Sequence, residues 1–165
     1  MSAECRHHRP QGPGAAELRK LLAEAEARSI AAGQRWTEPR RRVFELLARA
    51  GVPVKAYDLI AGYDEREPGS TKPPTVYRAL EFLESVGLAH RIPSLNAYVA
   101  CAGGEAVHAA SFLICDCCGS AEEFDPGVAD LASAMAQARS FQPRTISVEV
   151  RGVCGACAAA GEAAA

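Results

Sequence analysis

The sequence predicts an α+β protein, with an N-terminal winged helix-turn-helix unit followed by a smaller α/β unit. Three observations predict it. Helical periodicity recurs between Leu18 and Leu83, interrupted by glycines and prolines. Two short strand patterns follow, Leu88–Ile92 and Ala97–Cys101, so that helices precede a hairpin in the order of a winged helix. From Ala109 the pattern changes to strands and one helix, bracketed by two Cys-x2-Cys pairs, Cys115/Cys118 and Cys154/Cys157. Charge divides along the same line: residues 1–97 carry 15 basic against 12 acidic side chains, and residues 98–165 carry 3 against 8. A basic half and an acidic, cysteine-rich half read as a polyanion binder joined to a cation binder.

Residues 1–14 are polar, with Pro10, Gly12, Pro13 and Gly14, and are expected to form a disordered leader. Its Cys5, His7 and His8 read as parts of a mobile tail rather than as a metal site. The winged-helix domain is expected over 15–101. Leu18, Leu21, Leu22 and Ala25 give a first helix that fades by Gly33. Thr37 caps a second helix, with Pro39 tolerated in its first turn, Val43, Phe44, Leu46, Leu47 and Ala50 inward, and Gly51 at its end. Arg40, Arg41 and Arg42 near its start read either as a solvated face or as phosphate contacts. Ala56–Tyr63 is a short third helix with Leu59 and Ile60 inward, followed by a polar turn from Asp64 to Lys72. Pro73-Pro74-Thr75 opens a fourth, with Val76, Leu80 and Leu83 facing the core and Gly87 stopping it. The second domain is expected over 102–157, with strands at Ala110–Cys115, Ala121–Phe124 and Thr145–Arg151 and a helix at Val128–Ala138. The alanine-rich segment 158–165 reads as a disordered tail.

At 165 residues, 48% hydrophobic and 23% charged, the composition is that of a globular protein. No apolar run approaches a membrane span, and the N-terminus lacks the apolar core of a secretion signal, so the expected location is the cytoplasm. In that reducing compartment seven cysteines argue for metal rather than disulfides. Two Cys-x2-Cys pairs supply the four thiolates of a closed tetrahedral structural zinc: Cys115, Cys118, Cys154 and Cys157. Gly119 suits the tight knuckle after the first pair, and the 35 residues between the pairs leave room for a helix and strands. The same pairs could instead serve as a dithiol redox switch, or pack as ordinary buried cysteines. A closed thiolate set with no accompanying general base speaks against a zinc hydrolase, and no enzyme activity or small-molecule substrate is expected.

The fourth helix carries the nucleic-acid signal. Lys72, Thr75, Tyr77 and Arg78 cluster at its N-terminal turn, while the acids Glu81 and Glu84 lie toward the far end. A helix-turn-helix reads base edges with the first residues of its second helix, where the backbone dipole also favours phosphate. Arg78 suits bidentate contact to a guanine edge, and Tyr57 on the preceding helix could reach the groove. Amphipathicity alone would equally allow plain surface residues.

Donors for a second metal site are few: His90, Cys101, His108, Glu122, Glu123 and the odd Cys117. His90 and Cys101 fall on the two strands of the hairpin. They are direct cross-strand neighbours if the turn centres on Leu95-Asn96. His108 and an acid after the knuckle would complete a mixed tetrahedron. Glu122 and Glu123 face opposite sides of a strand, and the residues alone leave the choice between them open. Cys117 points away from its neighbours as a bystander. One thiolate, two imidazoles and one carboxylate suit Zn2+ better than iron or manganese.

Lys72-Pro73-Pro74-Thr75-Val76-Tyr77-Arg78-Ala79-Leu80, preceded by Ala56-Tyr57-Asp58-Leu59, resembles the ferric uptake regulator (Fur) family, most closely its zinc uptake regulator branch. The likeness continues through Asn96-Ala97-Tyr98-Val99 and both cysteine pairs, over roughly residues 16 to 157. One departure is Thr37-Glu38-Pro39-Arg40, where the family has Thr-Pro. The resemblance implies a homodimeric bacterial repressor that binds double-stranded operator DNA, with a winged-helix domain and an α/β dimerisation domain. It further implies two zinc ions per subunit, the second a regulatory one held at the positions of His90, Cys101, His108 and Glu123; Glu123 stands where the family's glutamate stands. The iron and peroxide sensors of the family carry a His-His-Asp-His cluster before the first cysteine pair. Here Val107-His108-Ala109-Ala110-Ser111 stands in its place, which removes most ligands of that alternative.

Overall fold

A computed structural model describes residues 11–64, 73–101, 110–124, 127–143 and 146–162. The chain forms two compact units, the first carrying helices α1 (Ala15–Ala31), α2 (Glu38–Ala50), α3 (Ala56–Asp64) and α4 (Pro73–Ser85) with strands β1 (Val54–Lys55), β2 (Ala89–Ile92) and β3 (Ala97–Ala100). The second carries β4 (Ser111–Cys115), β5 (Ala121–Phe124), α5 (Val128–Gln137), β6 (Val148–Gly152) and α6 (Gly155–Glu162).

Helices α1, α2 and α4 end where glycine permits a left-handed residue, at Gly33, Gly51 and Gly87. After α4, Gly87 has φ +67 and Leu88 N–H returns 2.8 Å to the Leu83 carbonyl, closing a Schellman turn. Arg28 of α1 donates to the Gly87 carbonyl at 2.9 Å, which ties α1 to that turn. Gly51, at φ +63, ends α2 in contact with the leader, since a Cβ there would meet Gly12 Cα and N at 2.8 Å. Gly51→Ala combines that clash with a strained φ, and a thermal melt should show a loss of about 1–3 kcal/mol. An unchanged melting temperature would mean that this contact is loose.

Val43, Phe44, Leu47, Leu59, Val76, Leu80 and Leu83 are buried at the centre of the first unit, with Leu18 and Ala25 of α1 against them. Each large side chain contributes roughly 1.5–3 kcal/mol by leaving water. Thr37 is the N-cap of α2 through its carbonyl, which accepts Arg41 N–H at 2.9 Å; its hydroxyl makes no cap bond. The expected inward face of α2 needs revising, because Leu46 and Ala50 are half-buried while Arg42 and Glu45 are buried. The arginine run is engaged within the protein. Arg40 lies 3.5 Å over the Phe82 ring, and Arg41 binds Glu38 at 3.0 Å. Arg42 donates to the Gly62 carbonyl at 3.1 Å and faces Glu45, which also takes Arg49 at 2.7 Å. A buried carboxylate that collects guanidinium groups holds α2, and through Gly62 α3, in place.

The wing is a three-stranded antiparallel sheet of order β1-β3-β2; the two-residue β1 is too short to leave a periodic signal in the sequence. A 3-10 turn over Pro93–Leu95, with Asn96 at φ +47, joins β2 to β3. This turn sets a register two residues away from the one expected. His90 pairs with Val99 and Ala89 with Ala100, so Cys101 is not directly opposite His90.

In the second unit β4 is central, antiparallel to β5 and parallel to β6. Phe112 and Ile114 are buried from one face of β4. On the other face Leu113 and Val150, register partners, are exposed at 42% and 49%. The tail is also not as expected: α6 carries helix through Glu162, and only residues 163–165 of the segment lie outside the described residues. Cys5, His7, His8, most of the polar turn before α4, and Thr145 at the expected start of β6 lie outside them too.

Candidate metal centre and nucleic-acid interface

The sheet of the second unit brings its two cysteine pairs together. Cys115 ends β4, and the turn that follows is closed by Gly119 N–H to the Cys115 carbonyl at 3.0 Å and Cys115 N–H to the Ser120 carbonyl at 2.9 Å. Gly119 sits at φ +74, as the knuckle requires. Because β6 runs parallel to β4, its end emerges beside this knuckle, where Asp116 N–H meets the Gly152 carbonyl at 2.7 Å and Arg151 Nε meets Asp116 Oδ1 at 3.0 Å. Cys154 immediately precedes α6, its carbonyl accepting Ala158 N–H at 2.9 Å, and Cys157 follows on the first turn.

The four sulfurs of Cys115, Cys118, Cys154 and Cys157 all lie within 4.8 Å of one another. The Cys118–Cys154 separation is 3.9 Å. Bonds of roughly 2.3 Å from zinc to sulfur put tetrahedral sulfurs roughly 3.8 Å apart, so the Cys118–Cys154 pair already matches the ion and the whole set lies near its dimensions. Burial pushes the Cys115 thiol up, but N–H groups of Cys118, Cys154 and Cys117 aimed at its sulfur outweigh burial and bring it down to about 6. The Cys154 N–H is 3.3 Å from that sulfur. A thiol held this way is prepared to lose its proton to a metal. Cys117 is half-buried and its sulfur stands outside the four; what it contributes is its amide.

On the wing, His90 and Cys101 are related diagonally across β2 and β3, on one face, rather than directly. Cys101 N–H bonds the Leu88 carbonyl at 2.9 Å, two residues before His90. Their ligating atoms still lie within 4.8 Å of each other; Cys101 is buried and so is His90 Nε2. A diagonal pair at this range can chelate one ion. Glu123 is half-buried on β5, paired in register with Phe112, while Glu122 is exposed opposite Leu113. His108 lies outside the described residues.

The DNA-reading candidates are placed on the exposed side of α3 and α4. Tyr57 stands at the start of α3 with 79% of its surface exposed. On α4 Tyr77 and Arg78 are exposed and Thr75 is half-buried, while Val76, Ala79, Leu80, Phe82 and Leu83 point into the core. Lys72 lies outside the described residues. Among the described residues no helix is long and apolar enough to cross a membrane.

A winged helix followed by a sheet built around a four-thiol cluster defines a two-unit, metal-fitted class of protein. The chain belongs to the Ferric uptake regulator family, whose description matches residues 31–151. It is 39% identical over 140 residues, 84% of this chain and 81% of the relative, to the zinc uptake regulation protein of Escherichia coli strain K12. Among solved structures it is similar to holo XcZur, with 43% identity, a TM-score of 0.78, and coverage of 85% of this chain and 98% of the other. It is also similar to a zinc uptake regulator complexed with zinc and DNA, with 36% identity, a TM-score of 0.81, and coverage of 88% and 97%.

Proposed function

We propose that this chain is a zinc-responsive DNA-binding repressor of zinc uptake and homeostasis genes, working as a cytoplasmic homodimer and not as an enzyme. The observation that carries this reading is the four-thiol cluster of zinc dimensions in a chain whose winged helix exposes Tyr77 and Arg78. The similar regulators concern zinc uptake, and one of them was captured with zinc and DNA.

Cys115, Cys118, Cys154 and Cys157 would hold a structural zinc, joining the knuckle to the end of β6. Zinc supplies a closed tetrahedral cross-link there. His90 and Cys101, with His108 and Glu123, would form the regulatory site; the support is the shared wing face of the first two and the resemblance of all four positions to the family. Tyr57, Lys72, Thr75, Tyr77 and Arg78 would meet operator DNA. Dimerisation is supported by the apolar surface of the second unit, where Leu113 and Val150 share a sheet face and Leu131 and Met135 lie one turn apart on α5, 60% and 51% exposed.

Operator binding measured across buffered free zinc, with iron and manganese as controls, tests the reading. Tightening by zinc alone is expected, and an equal response to iron would sink it. Arg78→Ala should cost on the order of 1–3 kcal/mol, lose discrimination at one base pair and leave zinc content unchanged. Unchanged operator affinity and preference would remove Arg78 from the reading surface.

A further inference from the structure

Arg91 belongs to none of the contacts proposed above, yet its placement is specific. It follows His90 on β2 and therefore projects from the opposite face of the strand. The register sets Val54, Tyr98 and Arg91 in one row across the wing sheet. Tyr98 and Val54 of that row pack on the helical core, whereas Arg91 continues past it and is exposed. Its guanidinium donates to Asn96 Oδ1 at 2.9 Å, drawing the side chain along the hairpin toward the turn. Arg91 also lies at the flank of the reading helix. The Tyr98 phenol, pushed up by burial and by Glu84, lies within electrostatic reach of Arg91, Tyr77 and Glu81 as well. Burial likewise pushes the Glu84 carboxyl up, against the pull of Arg91. A fixed, exposed guanidinium beside the helix that carries Tyr77 and Arg78 meets the requirement for a backbone contact at the edge of a groove.

We propose that Arg91 is a DNA-phosphate contact of the wing, anchoring the strand that flanks the groove read by α4. The inference rests on the DNA-binding function above. It places a zinc-ligand candidate and a phosphate anchor at consecutive positions of one four-residue strand, on its opposite faces.

The test uses the zinc-loaded full-length protein and a duplex selected by the wild type from a random-sequence pool, titrated between about 50 and 200 mM salt. Loss of one phosphate contact flattens the slope of log affinity against log salt by about 0.9, which at about 0.1 M salt is roughly 8-fold in affinity, for each subunit engaged. Arg91→Gln should show that loss with base preference, zinc per subunit and melting temperature unchanged. Arg91→Lys, which keeps the charge, should restore most of the slope. Arg91→Gln with the wild-type slope overturns the inference, as does Arg91→Lys as impaired as Arg91→Gln, since Arg91 would then be only a brace for Asn96. If the zinc-loaded wild type retains no duplex from the pool, the proposed function fails and this inference with it. An unchanged slope measured against a binding wild type sinks the inference alone.

Discussion

Replacing Cys118 or Cys154 by serine should leave the second unit unfolded and the chain monomeric. Apart from cysteines, the large apolar side chains buried in this unit are, among the described residues, Phe112 and Ile114. At roughly 1.5–3 kcal/mol each they cannot offset the ordering of a sheet and two helices. Four thiolates on one zinc supply about 10–16 kcal/mol near neutral pH, comparable to the whole stability of a typical domain at about 5–15 kcal/mol. Loss of one sulfur opens the tetrahedron and removes most of that. Zinc per subunit, circular dichroism and sedimentation are the measurements; a variant that stays folded, dimeric and fully loaded would take the four-thiolate site out of the account. Cys117→Ser is the control and should be close to silent, because its sulfur lies outside the cluster while its amide N–H is retained.

Cys101→Ser should have the opposite profile. Cys101 lies on the wing, apart from the unit that the four cysteines hold together. Folding, dimerisation and one zinc per subunit should survive. Zinc-dependent tightening on the operator should be lost, a coupling typically worth about 1–3 kcal/mol, or roughly 5- to 150-fold. Serine is nearly isosteric with cysteine, so altered packing is a poor substitute explanation, whereas the soft donor that selects zinc is gone. By linkage, operator DNA should also tighten zinc on the wild type by the same factor and not on the variant. The comparison is zinc stoichiometry beside operator affinity, with and without zinc, for both proteins. If Cys101→Ser keeps its second zinc and its response, Cys101 is core filling and the sensing site lies elsewhere.

Most helices were legible in the sequence because their ends are chemical. Gly51 and Gly87 stop α2 and α4 where left-handed residues are needed, and Pro73 starts α4. The thiol cluster was legible from spacing alone, since two matched pairs demand a common cavity. What stayed hidden depended on partners distant in sequence. Periodicity treats Arg42 and Glu45 as solvent-facing, and only the meeting of α2 with Gly62 shows why both are buried. The wing register turned on whether Pro93–Leu95 forms a 3-10 turn, and a shift of two residues moved Cys101 from opposite His90 to a diagonal position. The alanine-rich tail looked featureless, yet alanine is the strongest helix former, and a start beside the thiol cluster lets α6 run through Glu162.

The parallel pairing of β4 with β6 also dictates an order of events during synthesis. Cys118 and Cys154 stand 36 positions apart, so the metal cage cannot close until the ribosome has delivered the second pair. Closing such a span costs loop entropy that only the finished sheet and bound ion repay. The winged unit, helical and rich in near-neighbour contacts, emerges first and folds quickly, as local topologies do. A nascent chain therefore completes its winged unit before the second cysteine pair is available to close the cluster.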